Sequence, residues 1–112
     1  MLIYKIFRGD EEAAFARAGE TRGAPVDLAD GYIHISTAEQ VQGTLDKHFA
    51  GEDGLWLLAL DSDALGPELR WEPSRGGALF PHLYRVLRAD DVAWRRPLAR
   101  RTDGAVILDP PA

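Results

Sequence analysis

The 112-residue chain contains no cysteine. That excludes disulfides, thiol catalysis and cysteine-ligated zinc or iron–sulfur sites. Also missing is any apolar run near the roughly 20 residues needed to cross a bilayer. The opening Met1–Phe7 stretch alternates like a strand and lacks a signal peptide's long apolar centre and cleavage site, so a cytoplasmic protein without membrane attachment is expected. His34, His48 and His82 show no compact ligand spacing such as H-x-x-x-H, so no metal site is expected. There is no G-x-S-x-G elbow for a serine hydrolase and no glycine-rich phosphate fingerprint. Positive charge is in the minority. A formal net charge of −5 argues against general nucleic-acid binding, and a solvated strand face explains Arg95, Arg96, Arg100 and Arg101 more simply than a phosphate track.

What is present suits one domain over residues 1–112, since the length fits one core and no linker or repeat interrupts it. Leu2–Phe7 reads as a strand. Asp10 is placed to cap a helix running from Glu11 toward Gly19, with Ala14, Phe15 and Ala18 as its apolar face. Gly23-Ala24-Pro25 marks a loop, and Val26–Asp30 leads through Gly31 into a strand. Thr37 with Gln40 fits a capping box, as does Ser36 with Glu39 one residue earlier, and Val41, Leu45 and Phe49 follow at helical spacing. Leu55–Leu60 has the continuous apolar pattern of a central strand buried on both faces. Further strands are expected at Leu69–Glu72, Phe80–Leu87, Val92–Pro97 and Ala105–Leu108, the last after a turn at Thr102-Asp103-Gly104. Two helices among many strands indicate an α+β fold with split, mostly antiparallel sheets.

Three stretches could carry chemistry. In Asp30-Gly31-Tyr32-Ile33-His34-Ile35-Ser36-Thr37, strand alternation puts Tyr32, His34 and Ser36 on one face, leading into a helix N-terminus that favours anions. In Trp71-Glu72-Pro73-Ser74-Arg75-Gly76-Gly77, a carboxylate at a strand end adjoins a glycine-rich loop; Glu72 could orient a ribose hydroxyl or stabilise a cation, and Arg75 could pair with phosphate. In Phe80-Pro81-His82-Leu83-Tyr84, rings flank a histidine able to exchange a proton near neutral pH. A plainer reading stands beside each: a helix cap, a charged edge residue, a hydrogen-bonded core imidazole.

Asp27 to Gln40, followed by Trp71-Glu72 and by Phe80-Pro81-His82-Leu83-Tyr84, resembles the family grouped as the domain of unknown function 952. The resemblance covers nearly the whole chain. It implies a fold similar to that of ADP-ribosyltransferases, a split pair of sheets around a nicotinamide-dinucleotide cleft. It further implies that His34 contacts ribose, that Ser36 and Thr37 serve the amide or a phosphate, and that Glu72 or His82 takes the catalytic position, with NAD as a possible substrate. The second Tyr and Ser-Thr-Ser motifs of active transferases have no counterpart here.

The expectation is therefore a small-molecule nucleotide pocket with His34, Glu72 and His82 as catalytic candidates. Tyr32, Ser36, Thr37, Arg75, Phe80 and Tyr84 are its binding candidates. An ADP-ribosyl- or RNA phosphotransferase-like enzyme is one alternative; a non-catalytic nucleotide-binding or protein-interaction domain is the other. The sequence is silent on oligomeric state.

Overall fold

The computed structural model describes residues 1–100 and 106–107. Its elements are β1 (Leu2–Phe7), α1 (Gly9–Ala18), β2 (Glu20–Thr21), α2 (Pro25–Asp30), β3 (Ile33–His34), β4 (Ser36–Thr37), α3 (Ala38–His48) and β5 (Trp56–Asp61), then β6 (Leu69–Pro73), β7 (Leu79–Leu83), β8 (Leu87–Arg88), β9 (Val92–Pro97), β10 (Ala99–Arg100) and β11 (Val106–Ile107). The fold is α+β with antiparallel pairing throughout the described ladders. The principal sheet runs β4-β1-β5-β9, and a second sheet runs β3-β7-β6. The expected turn at Thr102-Asp103-Gly104 lies outside the described residues.

Alternation on β1 and β5 explains the core. Ile3 and Phe7 with Leu58 and Leu60 join Ile33, Ile35, Leu83 and Leu87 in the cluster between the two sheets. Tyr4, Ile6, Leu57 and Ala59 face the other way and pack with Val41 and Leu45 of α3. Both faces of β5 are thus covered, which accounts for its unbroken apolar run. The same parity has a consequence for Lys5. It pairs with Leu58 in the ladder, so its side chain must enter the inter-sheet layer together with Ile3 and Phe7.

Several boundaries differ from the sequence expectation. The first helix starts at Gly9 with Arg8 at the cap position, and Asp10 lies in its first turn. Of its expected apolar face only Phe15 is buried, edge-on to Phe7 at 6.1 Å; Ala14 and Ala18 are exposed. Among the described residues three α-helices replace the expected two, because Pro25–Asp30 is helical. Its six residues are too short to show periodicity, although Pro25 at the first turn and Gly31 at the left-handed cap (φ 86°) are start and stop signals.

The strand expected through Tyr32–Ser36 is two strands in two sheets. β3 pairs with β7 and β4 pairs with β1, with Ile35 bridging the sheets through its N–H to the Pro81 carbonyl at 3.1 Å. The Phe80–Leu87 strand likewise breaks after Leu83, where the Tyr84 N–H turns to the Glu68 carbonyl at 2.9 Å.

The core assignment leads to a stability contrast. Leu58, fully buried, should cost about 2–5 kcal/mol when changed to Ala. Leu79, half exposed, should cost no more than about 0.5 kcal/mol. Equilibrium urea unfolding measures both, and equal losses would contradict a core centred on β5.

Candidate functional site

Register on the second sheet brings the chemistry together. His34 pairs with His82, Arg70 with His82, and Glu72 with Phe80. Directly paired residues, and residues two apart on one strand, share a face. Tyr32, His34, Arg70, Glu72, Phe80, His82 and Tyr84 therefore belong to one face of β3-β7-β6, while Ile33 and Leu83 point into the core.

The rings on this face stack closely. Tyr32 lies 4.2 Å from His82, 4.6 Å from His34 and 5.2 Å from Tyr84, measured between centroids. His34 and His82 are 5.6 Å apart, edge to face. The Arg70 guanidinium sits over Tyr84 at 5.0 Å.

Two carboxylates orient the two imidazoles. The first is Asp27, whose side chain is wholly buried. Its Oδ1 accepts from the His34 backbone N–H at 3.0 Å and lies 2.6 Å from His34 Nδ1. Its Oδ2 accepts from Lys5 Nζ and from the Ala24 N–H, each at 2.7 Å. Lys5 Nζ also donates to the His34 carbonyl at 3.0 Å. Burial pushes the Asp27 carboxyl up, but the hydrogen bonds from His34 and the Lys5 ammonium outweigh it and hold the group below its ordinary value. Burial also pulls the Lys5 ammonium down, against the opposing pull of Asp27. His34 Nε2 meets the half-exposed Asp30 at 2.9 Å. Both of these imidazole contacts are hydrogen bonds only when both ring nitrogens carry protons.

The second carboxylate is Glu72. Its Oε1 accepts from the Tyr84 hydroxyl at 2.7 Å and lies 2.8 Å from His82 Nδ1. The Tyr84 hydroxyl, then His82, hold the Glu72 carboxyl below its usual range; the same hydrogen bond raises the Tyr84 phenol. The Glu72 side chain is 35% exposed against 4% for His82. The carboxylate can meet a ligand, and the imidazole beneath Tyr32 holds it in place. The glycine-rich loop after Glu72 is the hairpin between β6 and β7. Gly76 and Gly77 take positive φ there, and the Ser74 N–H donates to the Ala78 carbonyl.

His34, Glu72, His82, Tyr32, Phe80 and Tyr84 thus share one sheet face, Phe80 being largely buried in it. Ser36 does not. It is buried on the other sheet, hydroxyl to hydroxyl with Thr44 at 2.9 Å. Thr37 is the α3 cap, its N–H donating to Gln40 Oε1 at 3.0 Å. The Arg75 side chain lies outside the described part of the structure. Sequence reasoning missed Asp27 and Lys5 as site residues. An acid inside a short Pro-started helix and a lysine at an apolar strand position were the signals available. Among the described residues no group of three or more His, Asp or Glu could hold a metal, and no helix is long and apolar enough to cross a membrane.

The Asp27 network sets a pH dependence. A carboxyl depressed by folding contributes stability that is fully present above its unfolded pKa of about 3.9 and is lost as pH falls through the folded value. Asp27→Asn should cost about 3–5 kcal/mol at neutral pH, because it leaves the Lys5 ammonium buried without a counter-charge. The gap between wild type and variant should stay level above about pH 5 and narrow below about pH 4. Denaturant unfolding across that range measures it; a gap that widens in acid would contradict an ionised Asp27.

Comparison with curated proteins finds no match. Solved structures do match. The crystal structure of protein CC0527 from Caulobacter crescentus superposes with a TM-score of 0.91 at 47% identity, covering 96% of this chain and 94% of that one. The solution NMR structure of CC0527 gives a TM-score of 0.83 at 48% identity, over 93% and 90% of the two chains. The family described as "Protein of unknown function (DUF952)" matches residues 6–95. With the family profile spanning most of the chain and a relative of the same architecture near half identity, this chain belongs to the DUF952 family.

Proposed function

We propose that the ring-lined face of β3-β7-β6 binds a phosphorylated ribose ligand, with NAD as the first candidate, and that Glu72 is the carboxylate which meets its reacting carbon. The observation that carries this reading is the Glu72 environment. An ionised, partly exposed carboxylate is fixed by Tyr84 and His82 on the face that also bears His34 and Tyr32. A fixed negative charge stabilises a ribosyl oxocarbenium ion as the bond to a leaving base breaks. Tyr32 and Tyr84 offer ring faces for a base, and His34 offers Nε2 to a ribose hydroxyl once Asp30 is displaced. His82 acts through Glu72 as a positioning residue. The ADP-ribosyltransferase-like resemblance agrees with His34 and Glu72, but this reading gives Ser36 no ligand role, since its hydroxyl is engaged with Thr44.

The Asp30 carboxylate on His34 Nε2 favours a second reading, a nucleotide-binding domain without turnover. The two readings separate experimentally. Under the first, purified protein releases nicotinamide from NAD, and Glu72→Gln lowers the rate roughly 100-fold or more while NAD still raises the melting temperature. Thermal stabilisation by NAD without nicotinamide release, with or without protein or RNA acceptors, selects the second. Neither stabilisation nor release removes both.

A further inference from the structure

A cavity of about 180 Å³ opens beside the ring stack, lined by Arg22, Gly31, Tyr32, Leu83, Tyr84 and Arg85 among others. It is smaller than the roughly 300 Å³ at which whole-ligand pockets begin. A space of that size suits part of a ligand rather than the whole of one. Tyr32 and Tyr84 line this cavity and also belong to the face described above, so the cavity adjoins that face at the end of the β3–β7 pair.

Its charge balance is one-sided. Arg85 is matched by Asp91, with Nη1 and Nη2 at 2.8 and 3.0 Å from the two carboxylate oxygens, and it also donates to the Leu65 and Val86 carbonyls. The Asp27 carboxylate has no exposed surface and is paired with Lys5. Arg22 is exposed and, among the described residues, has no hydrogen-bond or ion-pair partner. The backbone that carries it is fixed. The Gly23 N–H donates to Thr21 Oγ1 at 3.0 Å, and Gly23 lies against Asp27 so closely that a Cβ there would overlap the carboxylate. A guanidinium without a carboxylate partner at a cavity wall has the donor geometry to take an anion with several acceptor oxygens.

We propose that this cavity is a phosphate subsite, in which Arg22 holds the phosphate of a phosphorylated ribose whose remaining part lies on the Tyr32–Tyr84 face. This rests on the ligand class proposed above and adds where its anionic end is held and by which residue. Phosphate esters, rather than unphosphorylated nucleosides, are then the ligands this chain selects.

The test titrates wild type, Arg22→Gln and Arg17→Gln with adenosine, adenosine 5′-monophosphate and inorganic phosphate at one ionic strength, by calorimetry. Arg22 is exposed and has no ion pair among the described residues, and Arg17 is an exposed cation on α1 that controls for net charge. Wild type should bind the monophosphate about tenfold or more tightly than adenosine, the difference expected from one charge-assisted contact. Arg22→Gln should bring that ratio near one without changing adenosine affinity, and Arg17→Gln should leave the ratio alone. A ratio that survives Arg22→Gln, or falls equally in Arg17→Gln, overturns the subsite. So does inorganic phosphate binding as tightly as the monophosphate. In each of those cases the ligand class still stands if Tyr32→Ala abolishes nucleotide binding. If neither adenosine nor its monophosphate binds wild type, the subsite and the ligand class fail together.

Discussion

The Lys5–Asp27 ion pair is the interaction on which the site depends. Lys5 belongs to the principal sheet and Asp27 to α2, and their contact at 2.7 Å crosses the layer between the two sheets. Both side chains are buried, so each charge needs the other, and each needs further hydrogen bonds to offset desolvation. Asp27 obtains them from the Ala24 N–H, the His34 N–H and the His34 ring. Those donors are the start of α2 and the strand that presents His34. Saturating one buried carboxylate therefore fixes a helix, a strand end and the orientation of a candidate catalytic imidazole.

The Glu72 side of the site is built differently. It depends on register within one sheet rather than on an ion pair between layers. β7 carries His82, Tyr84 follows its last residue, and β6 delivers Glu72 within hydrogen-bond reach of both. Glu72 remains partly open to solvent while Asp27 does not. Two carboxylates beside two histidines thus have separate duties. The closed one organises the backbone, and the open one is available to a ligand.

Tyr32 joins the two halves. It follows the left-handed Gly31 that ends α2, and its ring contacts both imidazoles and Tyr84. The position of that ring is inherited from α2, and hence from Asp27. CC0527 shares the fold over nearly the whole of both chains. It identifies no ligand, because a fold carries many activities and a site must be argued from its own groups.

Sequence alone determined what depends on local periodicity and composition. The alternating β1, the apolar β5, the existence of α3 and the α+β class all follow from side-chain spacing and capping, which are one-dimensional signals, whereas the choice of Thr37 over Ser36 as the α3 cap came from the structure. The grouping of His34, Glu72 and His82 was legible as three motifs. Their meeting required the β3-β7-β6 pairing, and sheet pairing joins residues far apart in the chain. Tertiary structure alone decided the rest. It separated Ser36 from His34, because the chain crosses between sheets at Ile35 and its hydrogen-bond partners change there. It also made Asp27 and Lys5 central, since a charged residue's pattern in sequence reads as surface until packing removes its water and supplies the opposite charge.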